Sequence, residues 1–193
     1  MEKTCSMKFS TLHDIEVSDD DLVARAHQDP QAFAGLYDRY LPVVYRYLYA
    51  RIGDQAEVED LTSQVFLDAL RAFPNYRHKG HFAAWLLSIA RRKAADHYRK
   101  RISQVSIDRV GGVHSAEPNP LAQVVHEDEL CRLSELVCEL AEEERELLRL
   151  RFAARLSFVE MAGLLKRKES AVKMALYRLL KRLQAQLEAK DAC

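Results

Sequence analysis

Apolar residues recur along this chain at three- and four-residue steps, the spacing of one buried helix face. Phe33, Leu36, Tyr37, Tyr40, Leu41, Val44, Leu48 and Ile52 make one such stripe. Val58, Leu61, Val65, Ala69, Leu70 and Phe73 make a second, and Phe82, Trp85, Leu86, Ile89, Ala90 and Ala94 a third. Local signals set the predicted ends. Ser18 or Asp19 caps a short helix over 20–28, with acids in its first turn. Asp29-Pro30 ends that helix and starts the next, which runs to about Ile52; Pro42 inside it is expected to kink or break it. Gly53-Asp54 is a turn, and a third helix follows over about 55–73. Pro74 stops it, and a polar loop from Asn75 leads into a fourth helix ending near Arg101.

The texture then changes. Residues 102–123 hold Gly111-Gly112, Pro118, Pro120 and several serines without a sustained period, which reads as a linker. Helical periodicity resumes with Leu130, Leu133, Val137 and Leu140, then over 142–152 with Leu147, Leu148 and Leu150. Ser157 with Glu160 is a capping-box pattern opening a helix over 158–165. A basic turn, 166–168, separates it from a long helix over about 169–189, whose apolar side is Val172, Leu176, Leu179, Leu183 and Leu187. The predicted fold is all-α: two small helical domains joined by a flexible linker, the second containing a helix-turn-helix. The boundaries are a leader 1–18, a first domain 19–101, a linker 102–125 and a second domain 126–193.

Charge sharpens this picture. The 193 residues balance 29 basic against 29 acidic side chains, yet the zero is an average over blocks. Residues 71–101 carry nine Lys/Arg against the single acid Asp96. Residues 126–146 carry nine acids against two bases, and 148–182 ten bases against two acids. Such segregation attracts phosphate locally without a basic total. Phe73, Tyr76, Phe82 and Trp85 and the histidines His78, His81 and His97 lie within the first basic block. A basic helix behind a short polar loop with aromatics nearby suits a nucleic-acid backbone and unstacked bases. Trp85, on the apolar side, is expected in the core rather than on DNA. The third helix has an unusual outer side, where Asp60, Gln64, Leu67, Asp68 and Arg71 put a leucine among acids. An acidic rim around a leucine is a docking face for a basic partner. In the second block, Lys173, Arg178, Lys181 and Arg182 point outward from the last helix, as in a DNA-reading helix-turn-helix.

Other chemistries find little support. Cys5, Cys131, Cys138 and Cys193 form no C-x-x-C pair, and His126, Cys131 and Cys138 fit no standard zinc spacing. Cys131 and Cys138, two turns apart, are expected to fill part of a core. There is no Gly-rich phosphate loop and no Ser/His/Asp or Cys/His arrangement, so neither an enzyme nor a cofactor is expected. No apolar run approaches a membrane span, and a cytoplasmic protein with reduced thiols is the expectation.

Together these stretches resemble a known family. DLVARAHQDPQAFAGLYDRYLPVVYRYLYARIGD, AEVEDLTSQVFLDALRAFPNYR and HFAAWLLSIARRKAADHYRKR are similar to the second domain of bacterial sigma-70 class sigma factors of the extracytoplasmic-function (ECF) group. LAEEERELLRLRFAARLSFVEMAGLLKRKESAVKMALYRLLKRL resembles their fourth domain. The resemblance implies a protein that binds core RNA polymerase and directs it to promoter DNA. By that similarity Asp60, Gln64, Leu67 and Asp68 dock on the clamp helices of the largest polymerase subunit. The loop with Asn75, His78, Lys79 and His81 reads an extruded base of the −10 element, and Arg91, Arg92, Arg99 and Lys100 hold the adjoining strands. Ser170, Lys173, Met174, Tyr177, Arg178 and Lys181 lie on the helix that meets the −35 element. The family implies an anti-sigma factor as a further partner.

This chain departs from the family at the second motif. Lys166 stands where a glycine is usual and Lys168 where a small polar cap is usual. The recognition helix reads Ser170-Ala171-Val172-Lys173-Met174-Ala175, so an arginine that would approach the duplex is Ala175. Met174 and Ala175 offer apolar contacts, to thymine methyls for example, but no bidentate contact to guanine. The alternative reading is a stand-alone helix-turn-helix regulator that binds an operator without polymerase.

Overall fold

The computed structural model of the protein describes residues 18–77, 81–105 and 127–191. The expected leader and most of the linker lie outside the described residues, as do His78 and Lys79. Among the described residues the fold is all-α, as the periodicity predicts.

The elements of the first half are α1 (Asp19–Gln28), α2 (Phe33–Ile52), α3 (Gln55–Ala72) and α4 (Phe82–Val105). Ser18 caps α1, its Oγ accepting from the Asp21 amide at 3.2 Å. Asp29 caps the single tight turn Pro30–Ala32 that feeds α2. The expected break at Pro42 does not occur, and α2 runs through it. Pro42 is exposed, so the carbonyl it leaves without an amide partner can face water rather than core. Gly53, with φ 85°, ends α2 in the left-handed conformation that glycine adopts without Cβ strain. Asp54 then caps α3 through the Glu57 amide at 2.9 Å.

The core of this half gathers Leu36, Tyr40, Val44 and Leu48 of α2, Val58, Leu61, Val65 and Ala69 of α3, and Phe82, Leu86, Ile89 and Ala90 of α4. An aromatic cluster closes its lower end. Phe73 lies 5.2 Å from Phe33 and 6.2 Å from Phe82, and Tyr76 lies 4.7 Å from Trp85. Two residues assigned to buried stripes are exposed instead. Leu70 is 46% exposed and Tyr37 39%, although the Tyr37 ring still packs edge-on against Phe66 at 4.7 Å. Both sit at the margin of a stripe, where 100° steps carry a side chain off the buried side; Phe66 and Tyr47 take the core places.

The second half contains α5 (Glu127–Cys138), α6 (Glu142–Leu148), α7 (Phe158–Leu165) and α8 (Glu169–Asp191). After α6 the backbone widens into π-type turns over Arg149–Ala153, with the Ala154 amide reaching back five residues to the Arg149 carbonyl at 2.9 Å. Leu136 and Leu140 pack against Leu179 and Leu183 of α8. Cys138 is exposed and free rather than core-filling, because Leu136 supplies the buried side of α5 at that level. The capping box at Ser157 is complete: Ser157 Oγ accepts from the Glu160 amide, and the Glu160 carboxylate accepts from the Ser157 amide at 2.8 Å.

One hydrophobic cluster spans both halves. Leu147, Leu150, Leu156, Met161, Val172 and Leu176 are continuous with the core of α2–α4. The second half folds back so that Arg149–Ala153 lies on α2 and α7 lies on α4.

Candidate functional site

The outer side of α3 presents Asp60, Gln64 and Leu67 to solvent at successive turns. Leu67 is 53% exposed, so its apolar surface is largely uncommitted to the fold. Asp68, on the same side, is held by Lys93 of α4 at 2.8 Å and by Arg71 at 3.6 Å. The Lys93 hydrogen bond keeps its carboxyl below the usual carboxylate range. Asp68 therefore fixes α3 against α4, while Asp60, Gln64 and Leu67 form an open line beside it. Between the two helices runs a groove of about 500 Å³ lined by Gln64, Lys93, His97, Arg99 and Lys100 among others. At its far end Glu57 accepts from His97 Nε2 at 3.1 Å and from Arg101 at 3.4 Å, tying the basic part of α4 to the start of α3.

Asn75 ends a short turn, Phe73–Asn75, and is exposed together with Arg77 and His81. Tyr76 between them is buried, its phenol pushed up to about 12 by burial and by the acids of α1. Tyr76 thus anchors the chain between the exposed Asn75 and Arg77. A second groove of about 500 Å³ opens beside it, lined by Asp20, Asp21, Val23, Ala24, His27, Tyr76 and Arg77. Trp85 packs on Tyr76 and on Phe82 at 5.4 Å, in the core role expected of it. Along α4, Arg92 and Lys100 are exposed and Arg99 pairs with Asp96. Arg91 points the other way, with its Nε 3.3 Å from Glu146 of the second half.

On α8, Ser170, Lys173, Met174, Tyr177, Arg178 and Lys181 are all exposed. Met174 and Tyr177 leave about half of their surface free, and the Lys173 ammonium lies 5.9 Å from the Tyr177 ring centre. Val172, Leu176 and Leu179 pin the opposite side. Arg182 is exposed as well, and donates to Glu144 of α6 at 2.7 Å. Lys166 adopts φ 52°, the left-handed region where a glycine would be unstrained. The turn between α7 and α8 keeps its form because the amides of Lys166 and Arg167 cap the carbonyls of Gly163 and Ala162.

One constellation has no local signature, the polar contact between the halves. Glu146 is 3% exposed. It accepts from Tyr47 Oη at 2.8 Å and Arg51 Nη1 at 2.9 Å, both on α2, while Arg91 approaches at 3.3 Å and Arg149 at 3.4 Å. Burial first, and the Glu146 charge second, push the Tyr47 phenol well above its ordinary value. Arg149 Nε also donates to the Ala50 carbonyl at 3.2 Å, and Arg46 Nε to the Ala153 carbonyl at 3.1 Å. Glu142 sits at the rim; burial pushes its carboxyl up, but Arg149, Arg51 and Arg145 together bring it below the usual range.

An open acid-and-leucine line on α3, a basic stretch of α4 and a separate basic face on α8 thus sit on one all-α frame. Residues 36–103 match the Sigma-70 region 2 family. The chain belongs to the ECF RNA polymerase sigma factors. It is 37% identical over 177 residues to the ECF RNA polymerase sigma factor BldN of Streptomyces coelicolor, spanning 89% of this chain and 66% of BldN. It is 32% identical over 168 residues to ECF RNA polymerase sigma factor SigD of Mycobacterium tuberculosis, spanning 83% of this chain and 79% of SigD. The fold is similar to that of RpoE from Bartonella quintana, solved with the anti-sigma factor NepR (TM-score 0.65, 20% identity, 82% of this chain and 98% of RpoE). It is also similar to CnrH, solved with the cytosolic domain of CnrY (TM-score 0.64, 23% identity, 89% of this chain and 97% of CnrH). No described helix is long and apolar enough to cross a membrane, and no described group of His, Cys, Asp and Glu is arranged to hold a metal.

Proposed function

We propose that this sigma factor binds core RNA polymerase through the α3 face of Asp60, Gln64, Leu67 and Asp68, and reads promoter DNA at two separated places. The observation that carries the docking assignment is the exposed line Asp60–Gln64–Leu67 on a helix whose other side is fully buried. A basic pair of helices is the natural partner for a leucine rimmed by acids. The loop with Asn75, His78, Lys79 and His81 takes an unstacked −10 base, and the groove beside Tyr76 offers the space for it. Arg91, Arg92, Arg99 and Lys100 hold the neighbouring phosphates. Ser170, Lys173, Met174, Tyr177, Arg178 and Lys181 meet the −35 duplex, with α7 and α8 as a helix-turn-helix.

The working units are a first domain, 19–101, and a second, 126–193, joined by 102–125 and preceded by a leader, 1–18. The protein acts in the cytoplasm, where its polymerase is, and has no catalytic role of its own. An anti-sigma factor is its expected inhibitor, a reading supported by RpoE having been solved with one. Melting needs no catalytic group, since capture of the extruded base offsets a few kcal/mol of unpairing cost.

The discriminating experiment compares promoter binding by the chain alone and with core polymerase. A sigma factor whose two grips are each weak gains its affinity from the polymerase that holds them at a fixed separation. Tight, specific binding by the chain alone would favour a stand-alone regulator.

A further inference from the structure

We propose that Glu146 is an internal stand-in for a DNA phosphate: it occupies an anion cradle made by Tyr47, Arg51 and Arg91, and the promoter strand takes its place when the two halves separate. This rests on the reading of α4 as a DNA-holding helix.

The cradle belongs to the first half. Tyr47 and Arg51 lie one turn apart on α2, and Arg91 reaches in from α4. A phenol O–H and two guanidinium groups converge on one carboxylate within 2.8–3.3 Å, the donor set that recognises a phosphate as readily as a carboxylate. Arg51 Nη1 also donates to Tyr47 Oη at 3.0 Å, so the donors are pre-aligned on one another. The anion comes from elsewhere in the chain: Glu146 is 99 residues from Tyr47 and 95 from Arg51.

Packing alone does not require this arrangement. Leu147 and Leu150 already anchor α6 and the turns after it in the shared core, and an apolar residue at 146 would spare the cost of burying charge. The carboxylate does what a hydrophobic residue cannot: it neutralises Arg51 and Arg91 together, whereas Glu142 at the rim reaches only Arg51 of the two, at 3.4 Å. The consequence is competition. While Glu146 is seated, the Nε of the half-exposed Arg91 is turned to it and α7 lies on α4. When the halves part, two arginines and a tyrosine become available to the strand in one event. The same separation frees α7 from α4.

The test uses the full chain without polymerase and a short fluorescein-labelled single-stranded DNA of mixed sequence, followed by anisotropy across a salt series. E146Q keeps the size of the side chain and removes its charge. It should bind roughly tenfold more tightly than wild type, the scale set by losing charge-assisted hydrogen bonds that hold the closed form. R51A in the E146Q background should return most of that gain and lower the salt slope by about 0.7, the value for one single-strand phosphate contact. Wild-type affinity in E146Q, or an unchanged slope on adding R51A, would overturn the proposal.

A second measurement does not depend on how E146Q folds. Dyes are attached through azidophenylalanine at exposed Ser63 of α3 and Glu188 of α8 in the otherwise wild-type chain. Energy transfer between them should fall as DNA saturates the protein; transfer unchanged at saturation would show that DNA does not displace Glu146. If wild-type chain supports promoter-directed transcription while both assays are flat, the cradle is wrong and the DNA-holding role of α4 stands. Absence of transcription would instead remove the underlying reading.

Discussion

Replacing Leu67 with alanine and Asp60 with arginine should separate polymerase docking from folding. Leu67 is 53% exposed and Asp60 is exposed on the same side of α3, so neither supports the core. The fold should lose no more than about 0.5 kcal/mol, the usual range for surface changes. The docked state should lose far more. Full burial of a leucine contributes about 1.5–3 kcal/mol, and the half still available for burial by a partner corresponds to about 1 kcal/mol. Reversing Asp60 against a basic partner adds a like-charge clash of about 2 kcal/mol or more. The sum, about 3 kcal/mol, is a loss of somewhat over a hundredfold in affinity. Fluorescence titration of labelled chain with core polymerase measures it, and urea melts followed by helical circular dichroism measure the fold. Undiminished core binding by a normally folded double variant would refute the docking face. A lost fold would refute the claim that this side of α3 is free.

Other consequences follow from different parts of the molecule. K173A and R178A should each weaken transcription from promoters that need the upstream element, with the deficit shrinking as salt rises and the salt slope of duplex binding falling by about one unit per residue; unchanged activity across salt would exclude α8 as the duplex grip. Exchanging residues 75–81 for the matching loop of another ECF sigma factor should change the preferred −10 base by about 1–3 kcal/mol of discrimination while leaving core binding intact, read by transcription of a randomised −10 library. S157A removes the hydroxyl that accepts from the Glu160 amide, while the backbone amide at 157 keeps its bond to the Glu160 carboxylate; it should cost about 1 kcal/mol in urea melts, with no change in core binding. Tyr40 and Tyr47 have phenols raised well above 10 in the folded chain, so their contribution to stability is complete below the unfolded value and lost as pH rises above it. Absorbance at the phenolate band should therefore show these tyrosines ionising only together with loss of helix above about pH 10; free titration in the folded chain would contradict their burial.

Much of this molecule was legible in its sequence because the information was local. Ser157 and Glu160 lie one turn apart and announce α7 by themselves, and the stripe from Phe82 to Ala94 fixes which side of α4 is buried. The acid-and-leucine face of α3 was visible for the same reason: three residues at four- and three-residue steps must share a side. What failed was either marginal or non-local. Leu70 and Tyr37 sit at stripe edges, where only the neighbouring helix decides burial. Cys138 was assigned from its own helix, but Leu136 determined its surroundings. Pro42 was expected to kink or break α2, and the helix runs through it on an exposed side. Above all, the closure of the second half on the first was invisible. Nothing in the run of nine acids over 126–146 distinguishes Glu146 from its exposed neighbours until Tyr47, Arg51 and Arg91 are brought to it from far away in the chain.

If this chain gives core polymerase its promoter specificity, run-off transcription with purified core polymerase on a randomised promoter library, with and without the chain, measures it directly. Transcripts should appear only when the chain is added, and the selected promoters should share two short conserved elements at a fixed separation. Transcription that is independent of the chain, or selected promoters with no shared elements, would contradict it.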